Sequence, residues 1–347
     1  MHCPVCGHDC VTDARALLTE LPGRFAPCPD CMGLVYDKQS PPPDIDTVEP
    51  CPSCGKRFID EVFARIYRVM VAEGDLAGTE PLAAVGTPLV HPGSAMHRAP
   101  YLPPGSLVLL SRSVGERAAA RLVAEVPEVR GVVRTGAATP GIKDTDAAPQ
   151  VYTLLAGCDV RADIFHTRAG PIVVYKQQSA LHIEFPRDRD PKILALEREI
   201  GRHRPRTFVD ACSGAGTLGL AAIRAGVPHV IANDAWYAAA YWTAYNLQVN
   251  REFLGGPGVP GWAELFLSHR PQYIWGLAWV ARRHLLPETA VSGGRSLRKA
   301  TAACRIHCVP TEKPRPMRSA ERYQSPGGGG DLLPRVPVQA RKGADLP

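Results

Sequence analysis

The stretch TFVDACSGAGTLG, residues 207–219, places a glycine-rich turn between a short apolar strand and the start of a helix. Small residues let the backbone approach a ligand closely, and the free amides of a helix N-terminus face that ligand. A second buried strand at 229–232 and a second helix at 236–249 follow. Strand, helix, strand, helix at this spacing predicts parallel pairing with right-handed crossovers, so we expect an α/β domain with a Rossmann-like sheet.

Two carboxylates stand at the predicted strand tips. Asp210 directly precedes the glycines, and Asp234 ends the second strand about twenty residues after Gly214. The first can meet the amino acid end of a cofactor, and the second can accept both hydroxyls of a ribose. Dinucleotide enzymes share the second acid, but they prefer a Gly-x-Gly-x-x-Gly run with no acid at the first strand end. The pattern therefore favours S-adenosylmethionine over a nicotinamide or flavin cofactor, with a glycine turn that binds no ligand as the remaining interpretation.

The predicted cofactor site extends over both strand tips. Trp236 has two interpretations: its ring covers an adenine, or it packs with the aromatic face of the following helix, which the pattern favours. Cys212 is a small loop residue rather than a nucleophile, because no basic partner stands beside it in the sequence. The predicted cofactor-binding residues are Asp210, Cys212, Ser213, Gly214, Ala215, Gly216, Asn233, Asp234 and Trp236.

Near the start of the chain, cysteines recur in a short turn. The three copies are Cys3-Pro4-Val5-Cys6, Cys28-Pro29-Asp30-Cys31 and Cys51-Pro52-Ser53-Cys54. Two intervening residues let both sulfurs face one tetrahedral ion, and two such turns about twenty residues apart are typical of a zinc ribbon. We expect one structural zinc ion on Cys3, Cys6, Cys28 and Cys31. Cys51 and Cys54 are then left over, or they belong to a second site completed by Cys10, His2 or His8; reduced cysteines in a small core are the alternative.

Composition limits the possible classes of protein. The chain has 347 residues and a formal net charge of +6, a modest excess that suits a polyanionic partner without requiring one. The sequence contains no run of eighteen apolar residues and no N-terminal signal region, so we expect a cytoplasmic protein with no membrane contact. Eleven cysteines in that reducing compartment favour metal ligands over disulfides.

The chain divides into four segments that differ in amino-acid composition. Residues 1–58 form the cysteine module, and 59–189 read as a helix followed by an α+β region. Residues 190–254 are the first half of the Rossmann-like domain, and 255–347 are an atypical tail rich in Arg, Pro and Gly, for which we expect disorder or an altered reading frame. Periodicity in the second segment predicts helices at 59–70 and 115–126 and strands at 106–110, 129–133, 151–155, 159–165 and 172–176.

Several segments run in an order that resembles a known enzyme family. They are 122–133, 152–157, 185–187, 196–199, the glycine loop, and Tyr245-Asn246-Leu247-Gln248-Val249-Asn250. Together they resemble the tRNA guanine-N1 methyltransferases of archaea and eukaryotes and the related wybutosine-pathway aminocarboxypropyltransferases, over roughly residues 105 to 254. The resemblance implies a class I methyltransferase fold in which 210–216 and Asp234 bind S-adenosylmethionine. It also implies that Phe185-Pro186-Arg187 lies near the cofactor entrance, where Arg187 contacts a tRNA phosphate.

The sequence departs from this family in three places. The loop has Ala211-Cys212-Ser213-Gly214 where the family has a Phe-Ala-Gly core, and Ala235-Trp236 follows the second acid instead of Asn-Pro. The cysteine module is an addition. Methyltransferases that act on base nitrogens carry an Asn/Asp-Pro-Pro motif at the fourth strand, and none follows Asn250, so no catalytic residue is assigned.

The leading prediction is an S-adenosylmethionine-dependent methyltransferase that acts on RNA, specifically tRNA. Methyl transfer needs mainly a cofactor held in line with its acceptor. One alternative is a methyltransferase of a protein or small molecule, which tRNA would not stimulate. The other is a zinc-dependent RNA-binding protein whose cofactor site has decayed, which would not bind S-adenosylhomocysteine.

Overall fold

The fold was taken from a computed structural model, which describes residues 1–43, 49–141 and 149–254. It also describes the backbone of three short strands beyond them, Glu264–Ser268, Leu277–Ala278 and Ile306–His307. Within these residues the architecture is mixed α/β. None of the described helices combines the length and the hydropathy that a membrane crossing requires.

The N-terminal segment is mostly turns and contains one short helix, α1 (Ala14–Glu20). The Asp13 side chain caps this helix by accepting a hydrogen bond from the Ala16 amide at 2.9 Å. Ala14 and Leu17 are buried on one side of α1, and Val11 is fully buried just before it. These side chains do not close a separate small core, because they pack with residues from distant parts of the chain.

The middle of the chain forms a four-stranded sheet backed by two helices. Its strand order is β2-β4-β5-β6, with β4 and β5 parallel and the outer pairs antiparallel. The helix α2 buries Val62, Ile66 and Met70 against this sheet at helical spacing, and Gly74 ends the helical region with a φ of +79°. The elements are β1 (Arg57–Phe58), α2 (Ile59–Ala72), a 3-10 helix (Leu82–Val85), β2 (Thr87–Val90), β3 (Tyr101–Leu102), β4 (Leu107–Ser111), α3 (Glu116–Glu125), β5 (Val129–Arg134) and β6 (Thr153–Gly157).

A long antiparallel hairpin, β7 (Val160–Thr167) and β8 (Gly170–Gln177), connects the middle sheet to the last part of the fold. Helix α6 (Tyr237–Val249) lies along the second edge of β8. Two asparagines one helical turn apart, Asn246 and Asn250, hydrogen-bond to the backbone of Tyr175 and Val173. Each amide side chain gives one donor and one acceptor, so this edge of β8 is paired much as a neighbouring strand would pair it.

The remaining elements form a parallel sheet with helices between the strands. Strand β10 is central, with β9 and β11 parallel to it on either side. Phe208 and Val230 are directly paired, and Leu220 and Trp242 are buried in the helices that cover the sheet. The elements are α4 (Pro191–His203), β9 (Thr207–Asp210), α5 (Thr217–Arg224), β10 (His229–Asn233), α6 and β11 (Glu264–Ser268).

These elements confirm the strands and helices predicted between residues 59 and 249, including the parallel β-α-β arrangement, and their ends shift by only a few residues. Strand β11 adds a third parallel strand at 264–268, inside the segment 255–347. The prediction of disorder or an altered frame concerns residues that otherwise lie outside the described ones.

Two hydrophobic cores organise the fold, and they cross the predicted segment boundaries. One core combines α2, α3 and the middle sheet. The other joins the N-terminal Cys3, Val11 and Leu17 to the hairpin β7–β8 and to α5 and α6. The start of the chain is therefore packed against the region that carries the glycine loop.

Candidate cofactor site and cysteine clusters

The glycine loop leaves the end of β9 and enters helix α5. Gly216 occupies the N-cap position with a φ of +87°, and a Cβ there would lie 3.0 Å from the Thr243 methyl group. Gly214 has a φ of +55°, but a Cβ there would meet no atom within 4 Å among the residues that the structure describes. Glycine is therefore required at 216 for conformation and for packing. At 214 it keeps the space above the loop open.

Hydrogen bonds from the neighbouring strand and helix fix the loop. The Ser213 amide donates to the Asn233 carbonyl at 2.8 Å, and the Asn233 side chain donates to the Ala211 carbonyl at 2.8 Å. From α6, the Thr243 hydroxyl donates to the Gly214 carbonyl at 2.9 Å. The side-chain amide group of Asn246, also on α6, donates to the Ala215 carbonyl at 3.0 Å. These bonds hold the loop in one shape before any ligand binds.

The two predicted carboxylates meet at this loop. Asp234 accepts hydrogen bonds from the amides of Gly214 and Trp236, both at 2.9 Å, so backbone donors set its orientation. Asp210 is only 7% exposed, and its Oδ2 has no hydrogen-bond partner among the described residues. Burial, followed by the nearby charge of Asp234, raises the pKa of Asp210 to about 6. A cationic or hydrogen-donating ligand would relieve both effects.

The remaining predicted cofactor residues surround these groups. Asn233 is buried at the end of β10, and its Oδ1 has no partner within the described part of the chain. Trp236 is half-buried, and its indole N–H donates to the Ala180 carbonyl at 3.0 Å. Cys212 is exposed on the loop, and Ser213 is buried, with its hydroxyl 3.2 Å from that of Thr243. The structure therefore gathers all nine predicted residues at the tips of β9 and β10.

A buried charge network lies beside the site, and the sequence did not predict it. Lys176 bonds to Asp163 at 3.0 Å and to Glu184 at 2.8 Å, and Lys192 pairs with Glu184 as well. Burial alone would raise the pKa of Glu184, but the two ammonium groups lower it to about 2. The charge of Lys192 also acts on Asp210. Only the folded topology brings these residues together, since they belong to different elements.

Arg187, the predicted RNA contact, follows this network on an exposed turn. Its side chain makes no ion pair with any described residue. Phe185, two residues earlier, is 58% exposed, and the buried Arg161 guanidinium lies 5.6 Å from the centre of its ring. The exposed ring of Phe185 and the exposed guanidinium of Arg187 thus lie two residues apart in one loop.

The cysteines group differently from the sequence-based expectation. Cys28 and Cys31 do not join Cys3 and Cys6; they lie with the other two-cysteine turn, Cys51 and Cys54. Because the second and third turns are also about twenty residues apart, spacing alone could not distinguish the two pairings. The first turn is instead held against the hairpin core by the buried Cys3 side chain.

The four sulfurs of Cys28, Cys31, Cys51 and Cys54 all lie within 4.8 Å of one another. The Sγ atoms of Cys28 and Cys51 are 3.5 Å apart, and those of Cys31 and Cys54 are 3.4 Å apart. Thiolates that surround one zinc ion at about 2.3 Å lie about 3.8 Å from each other in a tetrahedron. The Lys56 amide lowers the pKa of the Cys54 thiol to about 7, whereas desolvation raises the pKa of Cys28 and Cys31.

No protein-family model matches the chain, and no curated protein matches it. The solved structures that are similar to it include the following three. The complex of aTrm5 with tRNALeu is 15% identical, covers 56% of this chain and 50% of that chain, and has a TM-score of 0.30. The P. horikoshii TYW2 structure in complex with MeSAdo is 19% identical, with coverage of 55% and 60% and a TM-score of 0.31. The M. jannaschii tRNA m1G37 methyltransferase is 15% identical, with coverage of 55% and 49% and a TM-score of 0.29.

The match spans between about half and three-fifths of each of those chains.

Proposed function

We propose that this chain is an S-adenosylmethionine-dependent methyltransferase that acts on RNA, with tRNA as the substrate class. One observation carries the proposal: Asp210 and Asp234 converge on an ordered glycine loop between two parallel strands. The carboxyl ends of parallel strands are where α/β domains bind their ligands. Two neighbouring carboxylates, one of them buried, favour a ligand that brings positive charge and hydroxyl donors.

The residues present fit this cofactor. Its ammonium group would satisfy Asp210, whose Oδ2 has no partner among the described atoms, and its ribose hydroxyls would donate to Asp234. The open space at Gly214 allows the ligand to approach the backbone. Asn233 offers a further acceptor at the same strand tip. When bound, the cofactor supplies an activated methyl group, and the chain's own residues bind and orient it.

Binding and orientation are the functions that we assign to the protein. Thr243 and Asn246 hold the loop carbonyls, and the amides of Gly214 and Trp236 hold the Asp234 carboxylate. Because the glycine loop and the Asp234 carboxylate are already fixed, less entropy is lost when cofactor and acceptor are aligned. No acid or base is assigned, because methyl transfer depends chiefly on this alignment.

An RNA acceptor is supported by the turn at residues 185–187 and by the overall charge. Arg187 is exposed and without an ion pair among the described residues, so it can pair with a phosphate. The exposed Phe185 ring can stack on an unpaired base. The net charge of +6 favours association with a polyanion.

We also propose that Cys28, Cys31, Cys51 and Cys54 bind a structural zinc ion. Four thiolates complete the coordination sphere, so this site leaves no open position for catalysis. The ion would fix the loop at 23–31. Lys56 contacts this loop by donating hydrogen bonds to the carbonyls of Gly23 and Ala26, and the Tyr101 amide contacts it by donating to the Phe25 carbonyl.

The test of the proposed function is methyl transfer from radiolabelled S-adenosylmethionine. We expect labelled RNA when the purified chain is incubated with total tRNA, and we expect RNase treatment to remove the label. Label that appears instead on added protein or on small molecules identifies a different substrate class. Absence of S-adenosylhomocysteine binding, with tRNA binding retained, identifies an RNA-binding protein without a cofactor site.

A matched pair of variants makes this assay specific for the site. Asp234→Asn removes the carboxylate charge and keeps only one of the two oxygens that accept from the Gly214 and Trp236 amides, and it should reduce transfer at least tenfold. Glu116→Gln removes an exposed carboxylate from α3 and should leave transfer unchanged.

A further inference from the structure

A second group of four cysteines brings the start of the chain together with the middle of the described fold. Cys3, Cys6, Cys10 and Cys158 have sulfurs that all lie within 4.8 Å of one another. Cys158 lies between β6 and β7, 148 residues after Cys10 in the chain. This group contains two cysteines, Cys10 and Cys158, that stand outside any Cys-x-x-Cys turn.

The spacing of the sulfurs matches coordination and does not match covalent bonding. Cys3 and Cys10 each lie 3.7 Å from Cys158, and Cys6 lies 3.4 Å from Cys10. A disulfide needs about 2.05 Å between sulfurs. Four ligands around one zinc ion at about 2.3 Å are separated by about 3.8 Å. The three shortest separations are close to this value, and all six are within 4.8 Å.

The chain around Cys3 also has the geometry of a metal-binding turn. The Gly7 amide donates to the Cys3 carbonyl and the Cys3 amide donates to the His8 carbonyl, both at 2.9 Å. Gly7 has a φ of +74°. The third turn repeats this arrangement, with the Gly55 amide bonded to the Cys51 carbonyl at 2.7 Å and a φ of +69° at Gly55. One local structure therefore presents two sulfurs to each group.

The fourth ligand is held rigidly from the opposite side. The Cys158 amide donates to the Arg130 carbonyl of β5 at 2.8 Å, and a Cβ on Gly131 would collide with the Cys158 carbonyl. Cys158 is 7% exposed and Cys3 is 2% exposed. Four thiolates this close together repel one another unless a cation lies between them, and a zinc ion would balance their charge.

We propose that Cys3, Cys6, Cys10 and Cys158 bind one tetrahedral zinc ion that fastens the N-terminal segment to the middle sheet. This site is separate from the zinc site at Cys28, and it does not depend on the proposed methyltransferase activity. Because its four positions are filled by thiolates, the ion is structural.

Other contacts show what this fastening holds in place. The Tyr245 hydroxyl of α6 donates to the His2 carbonyl at 2.7 Å, and the Thr12 amide donates to the Tyr175 hydroxyl at 3.2 Å. Arg15 pairs with Glu252 at 2.7 Å. These contacts place residues 1–15 against β8 and α6, and α6 also holds the glycine loop through Thr243 and Asn246. The ion would add a link from the same N-terminal residues to Cys158, between β6 and β7.

The test is the zinc content of the full chain, measured by inductively coupled plasma mass spectrometry. We expect two zinc ions per wild-type chain and one in Cys158→Ser, Cys10→Ser or Cys51→Ser. Cys158→Ser combined with Cys51→Ser should hold none. Cys212→Ser, a change at an exposed cysteine outside both groups, should still hold two.

Two results would overturn the proposal. Cys158→Ser that retains two zinc ions shows that Cys158 is not a ligand, most clearly if Cys304→Ser with Cys308→Ser then loses one. Iron in place of zinc in the wild-type chain contradicts the identity of the ion.

A measurement on the wild-type chain covers the case in which Cys158→Ser does not fold. N-ethylmaleimide labelling followed by peptide mass spectrometry should leave Cys6, Cys10 and Cys158 unlabelled until a zinc chelator is added. Cys212 should be labelled before and after chelation. A cavity of about 500 Å³ borders Cys6, Cys10 and Cys158, so the reagent can reach these sulfurs once the ion is gone. Labelling of the three that is the same with and without zinc contradicts the site.

Discussion

The side chain of Asn246 pairs with the backbone of Tyr175 in both directions. Its Oδ1 accepts from the Tyr175 amide at 2.7 Å, and its Nδ2 donates to the Tyr175 carbonyl at 2.8 Å. The same Nδ2 lies 3.0 Å from the Ala215 carbonyl in the glycine loop. One fully buried residue therefore joins the hairpin edge to the candidate cofactor loop.

We expect Asn246→Leu to lower the free energy of unfolding by about 3 kcal/mol, because it leaves buried backbone groups of Tyr175 and Ala215 without partners. Urea unfolding followed by circular dichroism measures this change. Gln248→Ala, an exposed change on the same helix, should stay within about 0.5 kcal/mol of the wild type. Equal losses of unfolding free energy in the two variants would show that the Asn246 hydrogen bonds do not stabilise the fold.

The buried ion pair between Arg57 and Glu128 yields a second prediction. The two side chains are 2% and 1% exposed and 3.2 Å apart, and they join the end of the cysteine-rich segment to the start of β5. Arg57→Met should cost about 3 to 5 kcal/mol, because it leaves a buried carboxylate without its partner. Arg57→Met combined with Glu128→Leu should recover much of that loss, as thermal unfolding would report.

The pH dependence of Arg57→Met follows from the same pair. Burial raises the pKa of Glu128, and Arg57 opposes this shift in the wild type. Without Arg57 the pKa of Glu128 in the folded chain rises further above its unfolded value, so the penalty is complete above the folded pKa and is lost as pH falls from there to the unfolded pKa. The stability deficit of the variant should therefore shrink as pH is lowered from neutral; a deficit that is constant with pH contradicts the explanation.

Cofactor binding should depend on pH through Asp210. Its pKa of about 6 lies above the unfolded value of about 3.9, so protonation below pH 6 favours the folded chain without ligand. A cationic amino group needs the ionised carboxylate, so affinity for S-adenosylhomocysteine should rise up to tenfold per pH unit below 6 and level off above it. Asp210→Asn should bind more weakly and lose this dependence. Isothermal titration between pH 5 and pH 7 measures both.

The two loop glycines should respond differently to alanine. Gly216→Ala puts a Cβ 3.0 Å from the Thr243 methyl group in a left-handed backbone, and should cost about 1 to 2 kcal/mol of stability or more. The Cβ of Gly214→Ala would meet no atom of the described residues within 4 Å, so its stability cost comes from the left-handed backbone, while its new methyl group occupies space proposed for the ligand. We expect weaker S-adenosylhomocysteine binding from Gly214→Ala than its loss of stability explains. Differential scanning fluorimetry with and without ligand separates the two effects.

The helices, the strands and the carboxylates at the strand ends could be predicted from the sequence. The apolar periods predicted the helices and strands between 59 and 249, and the carboxylates at the ends of two adjacent parallel strands had to lie near each other. Partners from distant segments could not be found in this way. Cys158 stands alone in the sequence, and only the path of β5 and β7 brings it to Cys10. The role of Asn246 was equally hidden, since its motif gave no sign of the strand edge that it pairs.

Isothermal titration of the full chain with S-adenosylhomocysteine tests the central claim most directly. We predict one binding site per wild-type chain, an affinity at least tenfold weaker in Asp234→Ala, and no change in Glu116→Gln. Absence of binding to a wild-type chain that unfolds cooperatively would contradict the cofactor site, and so would equal affinity in the wild type and Asp234→Ala.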